Sequence, residues 1–295
     1  MNRLHYFNIT YLCDSDCLFC AANVGLIHTE NYTMTAESFS KALQEEDTKA
    51  SDRIMISGGE PTLSPYFWEI LDECERRKCC IDLTTNGHFF SLEKNIKLLS
   101  NYSSVVVRIP VFGIEEYHDY LTGKKGNFEK TIKALDSFCS LVASQKMTVN
   151  VKFLLCKATI KSNQEAYDYL FDRYGNNFEY TLSPILISQK VRINESILLS
   201  RYSDLICQSQ DFINIENLNC DIIPLCLLPH SKLNSFLRKK RIVFEKAYSD
   251  AELQHSDMDN YWCDKCARCR LNKYCDRFLP SYINYYGDDE ISPFI

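Results

Sequence analysis

The sequence predicts an α/β fold: a partial TIM-like (β/α)6 barrel over about residues 1–195, followed by a small cysteine-rich module over about residues 196–295. Three observations predict it. Short runs rich in β-branched and aromatic residues alternate with longer helical patterns, a dense cysteine group directly follows the first run, and the alternation stops near Glu195, where a second cysteine group and a tyrosine-rich tail take over. Alternation of this kind builds a parallel sheet whose functional loops gather at the strands' carboxyl ends.

The elements follow in order. A strand over 4–12 carries the first cysteine loop at its end, and then come a helix over 36–46, a strand over 53–57, a helix over 66–77 and a strand over 81–84. The pattern continues with a helix over 92–99, a strand over 105–111, a helix over 128–145, a strand over 148–155, a helix over 164–174 and a strand over 180–187. Six strands result. No repeat, Pro/Gly-rich linker or low-complexity run marks the joint with the C-terminal module.

Composition narrows the function classes. The 295 residues, 45% hydrophobic and 24% charged, suffice for one large core plus an appended unit. No stretch approaches the roughly 18 uninterrupted apolar residues of a membrane helix, and the first dozen residues lack the apolar centre of a secretory signal, so the expected location is the cytoplasm and no membrane partner is expected. A net charge of −6 argues against bulk nucleic acid as a partner, because phosphate-reading surfaces need clustered Lys and Arg.

Fifteen cysteines in a reducing compartment call for metal chemistry or ordinary burial rather than disulfides. Cys74, Cys79, Cys80, Cys139, Cys156 and Cys207 have no ligand-like spacing and are expected to be buried or half-exposed small side chains. By contrast, Cys13, Cys17 and Cys20 place three thiolates in one short loop, enough for three corners of a cubane cluster with one iron open to a small molecule. A zinc site with His28 as fourth ligand is the competing reading. Just past the second strand stands Ser57-Gly58-Gly59-Glu60-Pro61, where glycines let the backbone approach a ligand and a carboxylate could meet an ammonium group. Past the third stands Thr84-Thr85-Asn86-Gly87.

On these residues the sequence resembles the radical S-adenosylmethionine (SAM) superfamily, whose hallmark is CxxxCxxC with an aromatic residue, here Phe19, before the last cysteine. The resemblance spans about residues 4–187. It implies that Cys13, Cys17 and Cys20 ligate a 4Fe-4S cluster, that Phe19 lies against the adenine, and that Gly58, Gly59 and Glu60 hold the methionyl ammonium. Asn86 and Arg108 are expected to face polar atoms of the cofactor. The implied chemistry is reductive cleavage of S-adenosyl-L-methionine to a 5′-deoxyadenosyl radical that removes hydrogen from a substrate, with the electron supplied by a flavodoxin or ferredoxin. The run His118-Asp119, Thr122-Gly123, Gly126 and Phe128 resembles one found after the fourth strand in peptide-modifying members; the structural alternative is a loop in which Asn127 caps the helix beginning near Phe128.

The second group, Cys263-Asp-Lys-Cys266-Ala-Arg-Cys269 with Cys275, is followed by Tyr282, Gly287 and Pro293. It resembles the auxiliary-cluster module of the SPASM/twitch group, in its shorter one-cluster form. Cys226, Cys266, Cys269 and Cys275 are the expected ligands of an auxiliary 4Fe-4S cluster, with Cys220 in reserve and Cys263 possible; structural zinc is the alternative. The resemblance implies maturation of a ribosomally made peptide by crosslinking, epimerisation or oxidation. No obvious peptide-recognition domain precedes the barrel, which keeps a dehydrogenase acting on a small molecule as the second expectation. A non-catalytic zinc-binding protein is the third. No radical donor or general base can be named from the sequence.

Overall fold

The computed structural model describes residues 3–22, 32–143, 147–233, 243–248, 264–275 and 278–295. Six strands, β1 (Arg3–Thr10), β2 (Arg53–Gly58), β3 (Cys80–Thr84), β4 (Val105–Pro110), β5 (Met147–Leu155) and β6 (Glu179–Pro184), lie side by side in chain order and all parallel. Between them run α1 (Ala36–Glu45), α2 (Phe67–Arg76), α3 (Glu93–Leu99), α4 (Glu115–Thr122), α5 (Asn127–Ala143) and α6 (Ser162–Tyr174). The sheet is wider than six strands. β7 (Leu218–Cys220) joins β6 and β8 (Val243–Tyr248) joins β1, both parallel, giving the order β7-β6-β5-β4-β3-β2-β1-β8. Both edge strands come from chain beyond Glu195, where the sequence pattern shows no alternation.

Period-two burial sorts the strands' two faces. On one face Phe7, Ile54, Ile56, Ile81, Val107 and Phe153 are buried against the helices. The seam is direct, with Phe7 edge-on to Phe39 of α1 at 4.8 Å and Phe153 beside Tyr167 of α6. Helix periodicity meets it: α2 buries Phe67, Ile70, Leu71 and Cys74, spaced three, four and seven apart. Thr35 caps α1 by accepting a hydrogen bond from the Ser38 amide.

The opposite face is polar. Asp82 of β3, fully buried, accepts a forked pair of hydrogen bonds from Arg108 of β4, at 2.5 Å from Nε and 2.8 Å from Nη2, and Arg53 of β2 stands 3.4 Å away. Next to them Lys152 of β5 reaches Asp221 at 3.1 Å. Burial pushes the Lys152 ammonium down, and Asp221 opposes that effect. Charges survive here only because each cation has an anion within contact.

One helix boundary departs from expectation. The stretch taken as a possible loop is helix α4, closed by Gly123 in the left-handed conformation. Asp119, not Asn127, supplies the acceptor for the start of α5: its Oδ1 takes the Phe128 amide at 2.8 Å, and its Oδ2 takes that of Gly126. Of the six cysteines expected to be buried or half-exposed, Cys74, Cys79 and Cys156 are buried and Cys80 and Cys139 half-buried, but Cys207 is exposed.

Replacing Asp82 with Ala strands two cations on a buried face. The expected cost is about 3 kcal/mol of unfolding free energy in urea titration; a loss below about 1 kcal/mol, the range of exposed pairs, contradicts this account of the polar face.

Candidate active site

Residues 11–20 leave the carboxyl end of β1 without regular structure, so neighbouring elements must satisfy their backbone groups. From the turn after β2, the Gly59 amide donates to Thr10 O and the Glu60 amide to Leu12 O, both at 2.7 Å. Glycine is required there by close approach. A Cβ on Gly58 would lie 2.1 Å from Thr10 O, and one on Gly59 would lie 2.3 Å from Leu12 O.

From the turn after β3, Asn86 donates to Asp14 Oδ1 at 2.6 Å, while His88 Nδ1 meets Asp14 Oδ2 at 2.8 Å. Burial alone raises the Asp14 carboxyl, but His88 and Asn86 outweigh it and hold Asp14 below its ordinary range. From α4, Thr122 O accepts the Asp16 amide at 2.9 Å and Leu121 O accepts the Leu18 amide at 3.0 Å. From α5, Asn127 donates to Ser15 Oγ at 3.2 Å.

The three thiols sit inside this frame. Burial pushes Cys13 up to about 12 and Cys17 higher still, and each is raised further by the charge of its neighbours among the three. Such thiols stay protonated until a multivalent cation compensates their charge, so the donor set suits a metal cluster. Among the described residues, no three His, Cys, Asp or Glu side chains form a preformed ion-binding group. Thiols become ligands as they lose their protons to the metal.

The remaining expected residues are placed as follows. Glu60 is buried, and its carboxylate accepts from the Thr62 amide and hydroxyl, the Thr85 hydroxyl at 2.8 Å and the Asn86 amide at 2.7 Å. Burial raises its carboxyl despite those donors. Phe19 is buried edge-on against Phe112, ring centres 4.3 Å apart, and Phe112 in turn stacks on His118. Burial lowers His118 to about 4, and its neutral Nδ1 accepts the Phe112 amide. Arg108 spends Nε and Nη2 on Asp82, two residues before its strand ends.

A second cysteine set lies in the C-terminal chain. Cys226, Cys266, Cys269 and Cys275 line one pocket whose other walls include Leu225, Phe278, Ile291 and Pro293. The Leu225 amide donates to Cys275 Sγ at 3.3 Å, and burial raises the Cys226 thiol, with Cys275 and Cys269 adding to it. Cys220 lies on β7 and is not among the lining residues; Cys263, like His28, lies outside the described residues. The motif tail serves this site. Tyr282 is buried against Tyr202, ring centres 3.9 Å apart, and Pro293 closes the pocket wall.

The model of the Radical SAM superfamily matches residues 7–154, half of the chain and all of the first cysteine site. The chain belongs to the radical SAM superfamily. Radical SAM chains use a 4Fe-4S cluster and S-adenosylmethionine. The chain is similar to the sporulation killing factor maturation protein SkfB of Bacillus subtilis, 28% identical over 145 residues, covering 48% of this chain and 34% of SkfB. It is also similar to the Fe-coproporphyrin III synthase of Methanosarcina barkeri, 27% identical over 165 residues, covering 56% of this chain and 40% of that protein. The match therefore spans well under half of either relative. The fold is similar to that of SuiB from Streptococcus suis solved with S-adenosylmethionine, with a TM-score of 0.62 at 15% identity over 96% of this chain and 77% of SuiB.

Sequence reasoning missed Asp14, His88, Ser188, Lys190 and Asn194, all of which touch the cysteine loop. Asp14 alone carried a signal, standing between Cys13 and Cys17. Gly59→Ala puts a Cβ against backbone oxygens that cannot turn away, so iron affinity at the Cys13 loop should fall by roughly tenfold, the scale of lost outer-shell support. Iron titration in a Cys269→Ser background reads it; unaltered affinity contradicts the clamp.

Proposed function

We propose that the chain is a radical SAM maturase acting on a ribosomally made peptide, with Cys13, Cys17 and Cys20 holding the SAM-binding cluster and Cys226, Cys266, Cys269 and Cys275 an auxiliary one. The observation that supports the proposal best is the second pocket: Cys226 and the closely spaced Cys266, Cys269 and Cys275 line one pocket with largely apolar walls. A set of four thiolates leaves no iron open, which suits electron passage rather than substrate ligation. The names of similar proteins support the peptide class, since SkfB is a maturation protein and SuiB has been solved bound to its precursor peptide SuiA.

In this reading the cluster that Cys13, Cys17 and Cys20 would hold would supply one-electron reductive cleavage of S-adenosylmethionine to methionine and a 5′-deoxyadenosyl radical, with a flavodoxin- or ferredoxin-class protein as the electron donor. The chain's own residues aim and shelter that chemistry. Gly58, Gly59, Glu60 and Asn86 form one hydrogen-bonded rim beside the cysteines, where the methionyl group would lie. Phe19 backs the loop through Phe112, and Arg108 with Asp82 and Lys152 gives the adjacent sheet face paired charges able to meet polar groups of a substrate or cofactor. A small-molecule substrate is the second reading, favoured by the similarity to Fe-coproporphyrin III synthase.

Anaerobically reconstituted protein should be brown, absorb near 400 nm and, with its precursor peptide, release 5′-deoxyadenosine together with a peptide mass change. Zinc as the only metal contradicts the cluster reading; deoxyadenosine release with small molecules alone contradicts the peptide reading.

Cys17→Ala should abolish S-adenosylmethionine cleavage while circular dichroism stays near wild type. Cys269→Ser should retain uncoupled deoxyadenosine release yet form no peptide product, and full turnover in that variant removes the second site from the mechanism.

A further inference from the structure

Beyond β6 the chain returns to the cysteine loop through one short helix, α7 (Gln189–Ile193), and makes three contacts with it. Ser188, its N-cap, donates from Oγ to Cys20 O at 3.1 Å. Asn194 donates to Leu18 O at 3.3 Å and to Lys190 O at 3.0 Å. Between them Lys190 pairs with Asp16, one residue before Cys17.

The two members of that pair stand in different media. The Lys190 side chain is 11% exposed, whereas that of Asp16 is 70% exposed. Water and salt screen the carboxylate far more than the ammonium, so the pair does not cancel when viewed from the buried sulfurs.

We propose that Lys190 is a positioning residue of the radical SAM centre, one that acts on the cluster of Cys13, Cys17 and Cys20 through a fixed, buried positive charge and so raises its reduction potential. Reduction adds one negative charge to the cluster, and a cation fixed nearby stabilises the reduced form more than the oxidised one. No new redox step is involved. The electron is the one that the low-potential donor already supplies, and Lys190 changes only how readily the cluster accepts it. Its helix reaches the loop by two further hydrogen bonds, so the distance from charge to sulfur is set by the fold rather than by a freely moving lysine.

The inference rests on the cluster reading of the Cys13 loop, and the test separates the two. Reconstituted wild type, Lys190→Met, Lys190→Arg and Asp16→Asn are titrated with dithionite under anaerobic conditions. Each is followed by electron paramagnetic resonance on the signal that changes when S-adenosylmethionine is added, which singles out the first cluster. Lys190→Met should move the midpoint to more negative potential, Lys190→Arg should stay at the wild-type value, and Asp16→Asn, which leaves the ammonium and removes a negative charge beside the loop, should move the midpoint the opposite way. An unchanged midpoint in Lys190→Met overturns the proposal. So do shifts of the same sign in Lys190→Met and Asp16→Asn, which would show that breaking the pair merely disturbs the loop. If Lys190→Met holds no cluster, Asp16→Asn decides alone: a positive shift supports the proposal, and no shift or a negative one overturns it. A wild type without any S-adenosylmethionine-sensitive signal overturns the cluster reading itself.

Discussion

The structure turns on ten residues that cannot hold themselves in place. Residues 11–20 form neither helix nor strand, and they carry Cys13, Cys17 and Cys20. Their backbone groups are taken up by the turn after β2, the end of α4 and the approach to α7, and their polar side chains by the turn after β3, the start of α5 and Lys190. A loop fixed in this way inherits its geometry from the whole carboxyl edge of the sheet. Its order cannot precede the pairing of β1 to β4, and no local substitution can restore it if that edge is lost.

The same constraint explains why two short motifs, 27 residues apart at Ser57 and Thr84, belong together. Glu60 is their hinge. Its buried carboxylate binds Thr62 in its own turn and Thr85 and Asn86 in the next, and Asn86 passes the connection on to Asp14. An ionised carboxylate at such depth costs several kcal/mol; here four hydrogen bonds offset part of that cost, while burial still holds the carboxyl above its ordinary range. A residue of similar size alone does not replace Asn86, because its Nδ2 donates to Asp14 while its Oδ1 accepts the His88 amide.

Much of this was legible in the sequence. The six central strands and five of the six central helices follow from local runs of apolar and β-branched residues, and spacing alone marks the two dense cysteine runs, at Cys13–Cys20 and Cys266–Cys275. The illegible parts share one cause: they depend on partners distant in the chain. β7 is three residues long and exists only because β6 offers an edge, and β8 reaches β1 across most of the sequence. α4 is short, with only His118, Leu121 and Thr122 buried, so it lacks the stripe that marks α2. The anchors His88, Ser188, Lys190 and Asn194 belong to no pattern, since a side chain that satisfies a loop is chosen by where the loop passes. The Gly58-Gly59 pair was legible as a site of close approach, yet what approaches is the chain's own Thr10 and Leu12 backbone.

The two thiol sites are also parts of one packed body. The chain leaving α7 runs through α8 (Glu195–Leu198) into α9 (Tyr202–Gln208), and each reaches the C-terminal chain: Glu195 accepts from Tyr285, and Tyr202 stacks on Tyr282 while its amide donates to the Tyr282 hydroxyl. Arg201, between them, lies 5.8 Å from the ring centre of Tyr286. Glu290 joins the same knot by accepting from Tyr282 and from the Ser203 amide. Pro293, three residues further, lines the four-thiol pocket. An unbroken series of packed and hydrogen-bonded groups thus leads from Cys20 O, through Ser188 and α7, to the wall of the second site. Aromatic stacking gives that series stiffness that a chain of exposed ion pairs would lack, because rings at core density can shift only together. The spacing between the two sets of sulfurs is therefore a property of the fold.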